Sequence, residues 1–150
     1  MSTRAVSLRI PEETRLAIEE IAQRSGRGFT SVANEMLDEA VRTRRVRGIV
    51  FADEFERREA KVGGTGLGVW EIIETYQDVG ADWERFKSYY TWLNDFQLRA
   101  ALAYWRAYPD EIDAKIADNA SWTPERLYST YPWMKPPEPH QLRSQSNTED

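Results

Sequence analysis

The carboxylates Asp110, Glu111 and Asp113 stand within four positions of one another, close enough to suggest a metal site or an acid–base pair. They follow Pro109 at the start of a helical pattern, where carboxylates favour the positive end of the helix dipole anyway. That structural role is the stronger expectation, and a hydrolase built on them is a poor one. His140 is the single histidine, and cysteine is absent. No His-based triad, thiol nucleophile or thiolate metal site can therefore be assembled. Gly64-Thr65-Gly66-Leu67-Gly68 before a helix suggests a phosphate loop, but the dinucleotide spacing is wrong and no Gly-Lys-Ser/Thr follows. A hinge fits better. No cofactor and no metal are expected.

A different chemistry is written near the start. In Arg4-Ala5-Val6-Ser7-Leu8-Arg9-Ile10, the apolar Val6, Leu8 and Ile10 alternate with Ala5, Ser7 and Arg9. Period two predicts a half-buried strand with a polar outer face. Pro11 ends it, and Glu12 and Glu13 suit a first helical turn. A helix over 12–25 follows from the stripe Thr14, Ile18, Ile21, Ala22 and Ser25, with Gly26 as its C-cap. Thr30 or Ser31 is expected to cap the next helix. That helix carries Val32, Ala33, Met36, Leu37, Ala40 and Val41 on one face and ends among Arg42, Arg44, Arg45 and Arg47 before Gly48. One strand and two short helices bury too little to stand alone. Pairing two strands across a two-fold axis repairs this, so a homodimer is expected.

Charge divides the chain. Residues 1–47 hold nine Arg against seven carboxylates, a balance of +2. Residues 48–150 hold eleven Lys or Arg against eighteen carboxylates, a balance of −7. The basic head suits DNA; the acidic body cannot lie flat on it but suits a protein partner. No apolar run approaches the ~18 residues of a membrane span. With no signal-peptide pattern at the N-terminus, the cytosol is the default compartment.

Two extended pieces, 48–52 and 59–62, form a candidate hairpin around a charged turn. Helical patterns resume over 69–79, 82–90, 95–108 and 110–119. Aromatic residues crowd this region, and the adjacent pairs Tyr89-Tyr90 and Tyr104-Trp105 cannot all point inward. Beyond Ala120 order is expected to fade, since residues 132–139 hold four prolines. The division is 1–47 for DNA binding and dimerisation, 48–65 as linker or hairpin, 66–119 as a helical domain and 120–150 as a partly disordered tail.

The strand, the intervening helix, the Gly26-Arg27-Gly28 turn and the helix from Thr30 to Leu37 together resemble the ribbon-helix-helix family of DNA-binding proteins. The resemblance implies paired strands in the major groove, with Thr3, Ala5, Ser7 and Arg9 towards base edges. Arg9 is the strongest reader, because a guanidinium can bond guanine O6 and N7 together. It also implies that Phe29, Thr30 and Ser31 meet a phosphate at a helix N-terminus. The second half, through Gly48-Ile49-Val50-Phe51, Gly66 to Glu71, Leu98 to Trp105 and Tyr108 to Asp113, resembles the small homeodomain-like domain of VapB-type antitoxins.

The fold class expected is therefore mainly α: an N-terminal ribbon-helix-helix followed by a small homeodomain-like helical domain. The combined resemblance implies an antitoxin that represses its own operon and neutralises a toxin, with a PIN-type ribonuclease as the implied partner. The alternative is a stand-alone regulator with a helical oligomerisation domain. Trp122, Arg126, Tyr131, Trp133 and Lys135 in the tail are the candidate toxin contacts: bulky rings on a short segment anchor coupled folding and binding, and cations suit the carboxylates of such a nuclease. The competing expectation is that these rings pack back onto the 66–119 helices. That helical region itself is expected to supply a second interface rather than a second DNA reader.

Overall fold

The computed structural model describes residues 2–54 and 57–137. The chain is mainly helical, with one two-stranded antiparallel sheet in mid-chain. Residues 2–11 form no helix or strand within a single chain, and every side chain along them is exposed.

Helix α1 spans Glu12–Ser25, opens with two acidic residues and ends at Gly26, whose φ of 64° takes the left-handed conformation glycine permits. Helix α2 spans Phe29–Arg45. Its N-cap is Gly28 and no side chain caps it, which corrects the expectation that Thr30 or Ser31 would. Gly28 already holds the extended conformation a cap requires, so both hydroxyls fall inside the first turn. Ala22 and Val32 are the buried residues of this helical pair.

Strands β1 (Ile49–Glu54) and β2 (Arg57–Val62) form the hairpin, in register from Ile49 opposite Val62 to Glu54 opposite Arg57. The ladder runs further into the charged segment than its composition suggests. There Asp53 faces Arg58 across the strands, and the two side chains pair at 3.3 Å. The hairpin is no mere linker. Ile49, Ala60 and Val62 join one core with Val69, Ile72, Ile73, Phe86, Leu98, Ala101, Tyr104 and Ile112.

That core is closed by α3 (Val69–Asp78), α4 (Trp83–Tyr89), α5 (Asp95–Ala107) and α6 (Pro109–Ala120). Caps set their starts: Asp82 accepts from the Arg85 N–H at 3.0 Å, Asn94 from the Gln97 N–H at 2.8 Å, and Pro109 occupies a first-turn position. Helix α5 is the central element, with Leu98, Ala100, Ala101, Leu102 and Tyr104 buried. Of the adjacent aromatic pairs, Tyr104 is fully buried and Trp105 half-buried, whereas Tyr89 is exposed beside a half-buried Tyr90.

Order does not end at Ala120. Helix α7 spans Pro124–Thr130, and a 3-10 turn follows at Pro132–Met134. Thr123 caps α7 by accepting from the Arg126 N–H at 3.3 Å, Pro124 fills its first turn, and Glu125 lies at its positive end. A complete helix-start signal stands just ahead of the prolines. His140 lies outside the described residues.

Between α2 and β1 the chain has almost no slack. Val46 is buried, Gly48 turns with φ 90°, and Ile49 is already core. A side chain at Gly48 would come within 2.9 Å of the Phe96 ring and 3.2 Å of Ala100.

Candidate nucleic-acid interface

Thr3, Ala5, Ser7 and Arg9 lie together on the exposed N-terminal segment, with Val6, Leu8 and Ile10 between them. Arg9 has no hydrogen-bond or ion-pair partner among the described residues. The intervening apolar side chains are also bare: Val6 is 76%, Leu8 63% and Ile10 40% exposed. Leu16, Ile21, Phe29, Leu37 and Val41 on α1 and α2 are exposed as well. Together these form an unusually large set of bare apolar groups for fewer than fifty residues.

At the N-terminus of α2, Phe29, Thr30 and Ser31 are exposed and their backbone N–H groups have no side-chain cap. Such a terminus favours an anion. The Ser31 hydroxyl is already engaged, accepting from Arg27 Nη2 at 3.0 Å. Arg27 also pairs with Glu35 at 2.9 Å, so it bridges the turn to the second turn of α2. Arg27 was not singled out as a site residue. Its signal was the lone cation between two glycines, which places a guanidinium beside the helix start.

A cleft of about 900 Å³ opens between this helical pair and the tip of the hairpin, lined by Ile21, Val32 and Met36 with Arg27, Arg57 and Arg58 around them. Arg58 crosses to α2, where its Nε and Nη2 each reach a different oxygen of Glu39 at 2.9 Å. Farther along α2, Arg42 turns to the body. Its Nη1 donates to the Tyr104 hydroxyl at 2.9 Å and to the Glu111 carboxylate. Asp38 lies 2.8 Å from its Nε, and the guanidinium sits 4.3 Å from the centre of the Tyr108 ring. Burial works against the Arg42 charge, but the bonds to Tyr104 and Glu111 outweigh it and hold the guanidinium above its ordinary pKa. Burial likewise raises the Tyr104 phenol; Arg42 opposes this and Glu111 reinforces it.

Two of the three carboxylates weighed for catalysis have partners within the fold, and Asp110 lies in the first turn of α6. Glu111 holds Arg42 and Tyr104, and Asp113 accepts from Trp105 Nε1 at 2.8 Å. No group of metal-ligating side chains occurs among the described residues. The glycine-rich segment is a turn. Thr65 bonds back to the Val62 carbonyl at 2.7 Å, and the Gly68 N–H donates to Glu71 at 2.6 Å, occupying a donor a phosphate would need. Glu59 is the one buried charge among the described residues. It accepts from Trp70 Nε1 at 2.9 Å and pairs with Lys115, with Lys61 at 3.7 Å.

In the tail, Arg126 lies 4.3 Å from the Trp122 ring centre, Trp122 stacks on Tyr131 at 6.1 Å, and Tyr131 meets Trp133 edge-on at 6.3 Å. The tail helix packs chiefly against its own 3-10 turn. Trp133 remains 79% exposed, and Lys135 is exposed. Trp122, Tyr131 and Trp133 thus form a ring cluster of their own. Arg126 is tethered by bonds to the Ser121 carbonyl at 3.3 Å and hydroxyl at 2.5 Å. Among the described residues no helix is long and apolar enough to cross a membrane. Compared with known protein families, curated proteins and solved structures, the chain matches none.

Proposed function

We propose that this chain is a dimeric DNA-binding protein of the ribbon-helix-helix type, acting as an antitoxin that represses its own operon. One observation carries the reading: Val6, Leu8 and Ile10 are bare in a single chain, alternate with Thr3, Ala5, Ser7 and Arg9, and precede two helices with further bare apolar residues. Pairing two such segments antiparallel buries the first set and turns the second outward as a ribbon for the major groove. The open N-terminus of α2 and Arg27 then serve as phosphate contacts that fix the register.

The body supports a protein partner rather than a second duplex. Its α5, the reading helix of a homeodomain-like arrangement, is its most buried helix, and its surface is acidic. The exposed rings of Tyr131 and Trp133 suit a protein interface, which the antitoxin reading assigns to the toxin. A PIN-type ribonuclease is the toxin this reading implies.

The test is a gel shift on the duplex immediately upstream of the chain's own coding sequence. Binding weakens steeply with salt. Arg9→Ala loses about 1–3 kcal/mol of discrimination against a changed site. A shift indifferent to Arg9→Ala refutes the assignment.

A further inference from the structure

Head and body carry opposite charge, yet no flexible linker separates them. Helix α2 starts at Phe29, the end assigned to phosphate, and meets the body at Arg42. At the rise of an α-helix those positions lie about 20 Å apart. The Debye length in physiological salt is about 8 Å. Carboxylates of α5 and α6, held at the Arg42 end of α2, are therefore screened from the duplex by more than two such lengths, whereas Asp53 at the hairpin tip lies nearer the head and is paired with Arg58.

Two guanidinium clamps hold α2 in that attitude. Arg42 reaches from α2 to Tyr104, Tyr108 and Glu111 on α5 and α6. Arg58 reaches from β2 back to Glu39 with two bonds of 2.9 Å. Val46 and Ile49 are buried at the junction, and the clamps add directional restraint to that apolar contact.

We infer that Arg42 is a positioning residue: together with Arg58 it makes α2 a strut that keeps the acidic body clear of bound DNA. The inference rests on the DNA-binding reading above. A loosened body samples orientations in which its carboxylates approach the phosphates, and binding then costs the restriction of that motion as well as the repulsion.

The sign of one substitution separates this from simple charge counting. Glu111→Gln removes a partner of Arg42 and also one negative charge. Charge alone makes the variant bind DNA more tightly; a loosened strut makes it bind more weakly where repulsion is unscreened. The full-length chain is titrated with the upstream duplex across a salt series. For Glu111→Gln, Kd rises about two- to fivefold at ~50 mM salt and merges with the parent value near ~300 mM. Glu39→Gln, which frees Arg58 with the same change of charge, behaves alike and carries the comparison if Glu111→Gln does not fold. Arg42→Lys keeps the charge but not the guanidinium geometry over Tyr104, Tyr108 and Glu111, so it weakens binding in the same salt-dependent way with no change of net charge. Tighter binding by the Gln variants, or weakening of equal size at every salt, overturns the strut. Failure of the parent chain to bind at ~50 mM salt overturns the DNA-binding reading itself, and the strut with it.

Discussion

Replacing Leu8 by Asp tests the dimer where the single chain is most incomplete. Leu8 is 63% exposed, so the proposed dimer would bury about two thirds of its surface. Full burial of a leucine side chain is worth about 1.5–3 kcal/mol, which scales to about 1–2 kcal/mol per copy. A two-fold dimer loses it twice, about 2–4 kcal/mol, before the desolvation of two carboxylates is added. At 1.4 kcal/mol per tenfold, the dimer dissociation constant rises roughly 30- to 700-fold. Sedimentation equilibrium measures this directly. The body supplies the control. Because residues 2–11 are exposed throughout, the near-ultraviolet signal of Tyr104, Trp70 and Trp105 stays unchanged while the dimer is lost. If Leu8→Asp sediments as the same dimer as its parent, or the parent is monomeric up to its solubility limit, the ribbon argument is wrong.

If the chain is the proposed antitoxin, removing the residues from Ser121 onward leaves the melting temperature and DNA binding near parent values but abolishes co-purification with the proposed toxin. A large fall in melting temperature contradicts this. Lys115→Met leaves Glu59 short of its nearest cation and costs about 1–3 kcal/mol in urea unfolding, less than a fully buried pair because Lys115 is partly exposed. The double replacement Glu59→Met with Lys115→Met recovers much of that loss; an unrecovered double variant argues against it. The buried phenols of Tyr104 and Tyr90 titrate above the ordinary tyrosine value near 10. The folded state therefore keeps protons that the unfolded state has released. Stability is full below pH about 10 and falls as pH rises through the folded values, and a urea midpoint flat beyond that point contradicts the burial argument.

The legible parts were those with a local period. Helix α1 announces itself through its apolar spacing and through Gly26 at its end. The hairpin was visible, but not its reach, because Asp53 and Arg58 read as turn residues until their cross-strand pairing is known. Helix α7 was hidden by composition, although Thr123-Pro124-Glu125 is a sound helix start. Least legible were the ties spanning the chain. Arg42 with Glu111, and Glu59 with Lys115, are joined only by folding; locally Glu111 reads as a helix-start carboxylate and Arg42 as a helix-end cation. Arg9 stood out through its place in an alternating strand; Arg27 and Arg42 owe their roles to neighbours a single sequence does not name.

The turn at Gly48 bears on how such proteins can be recombined. On the proposed reading the chain has two functional halves, which would invite splicing a new DNA specificity to an old partner-binding unit at a neutral joint. Here the joint is not neutral: the last turn of α2 is at once the end of one half and part of the wall of the other. Position 48 admits no side chain beside Phe96. A chimera cut at residue 47 carries in a foreign helix end that must still offer a guanidinium to Glu111 and an aliphatic group to the core. The workable crossover lies upstream, in the Gly26-Arg27-Gly28 turn, so that α2 travels with the body and only the first strand and helix are exchanged.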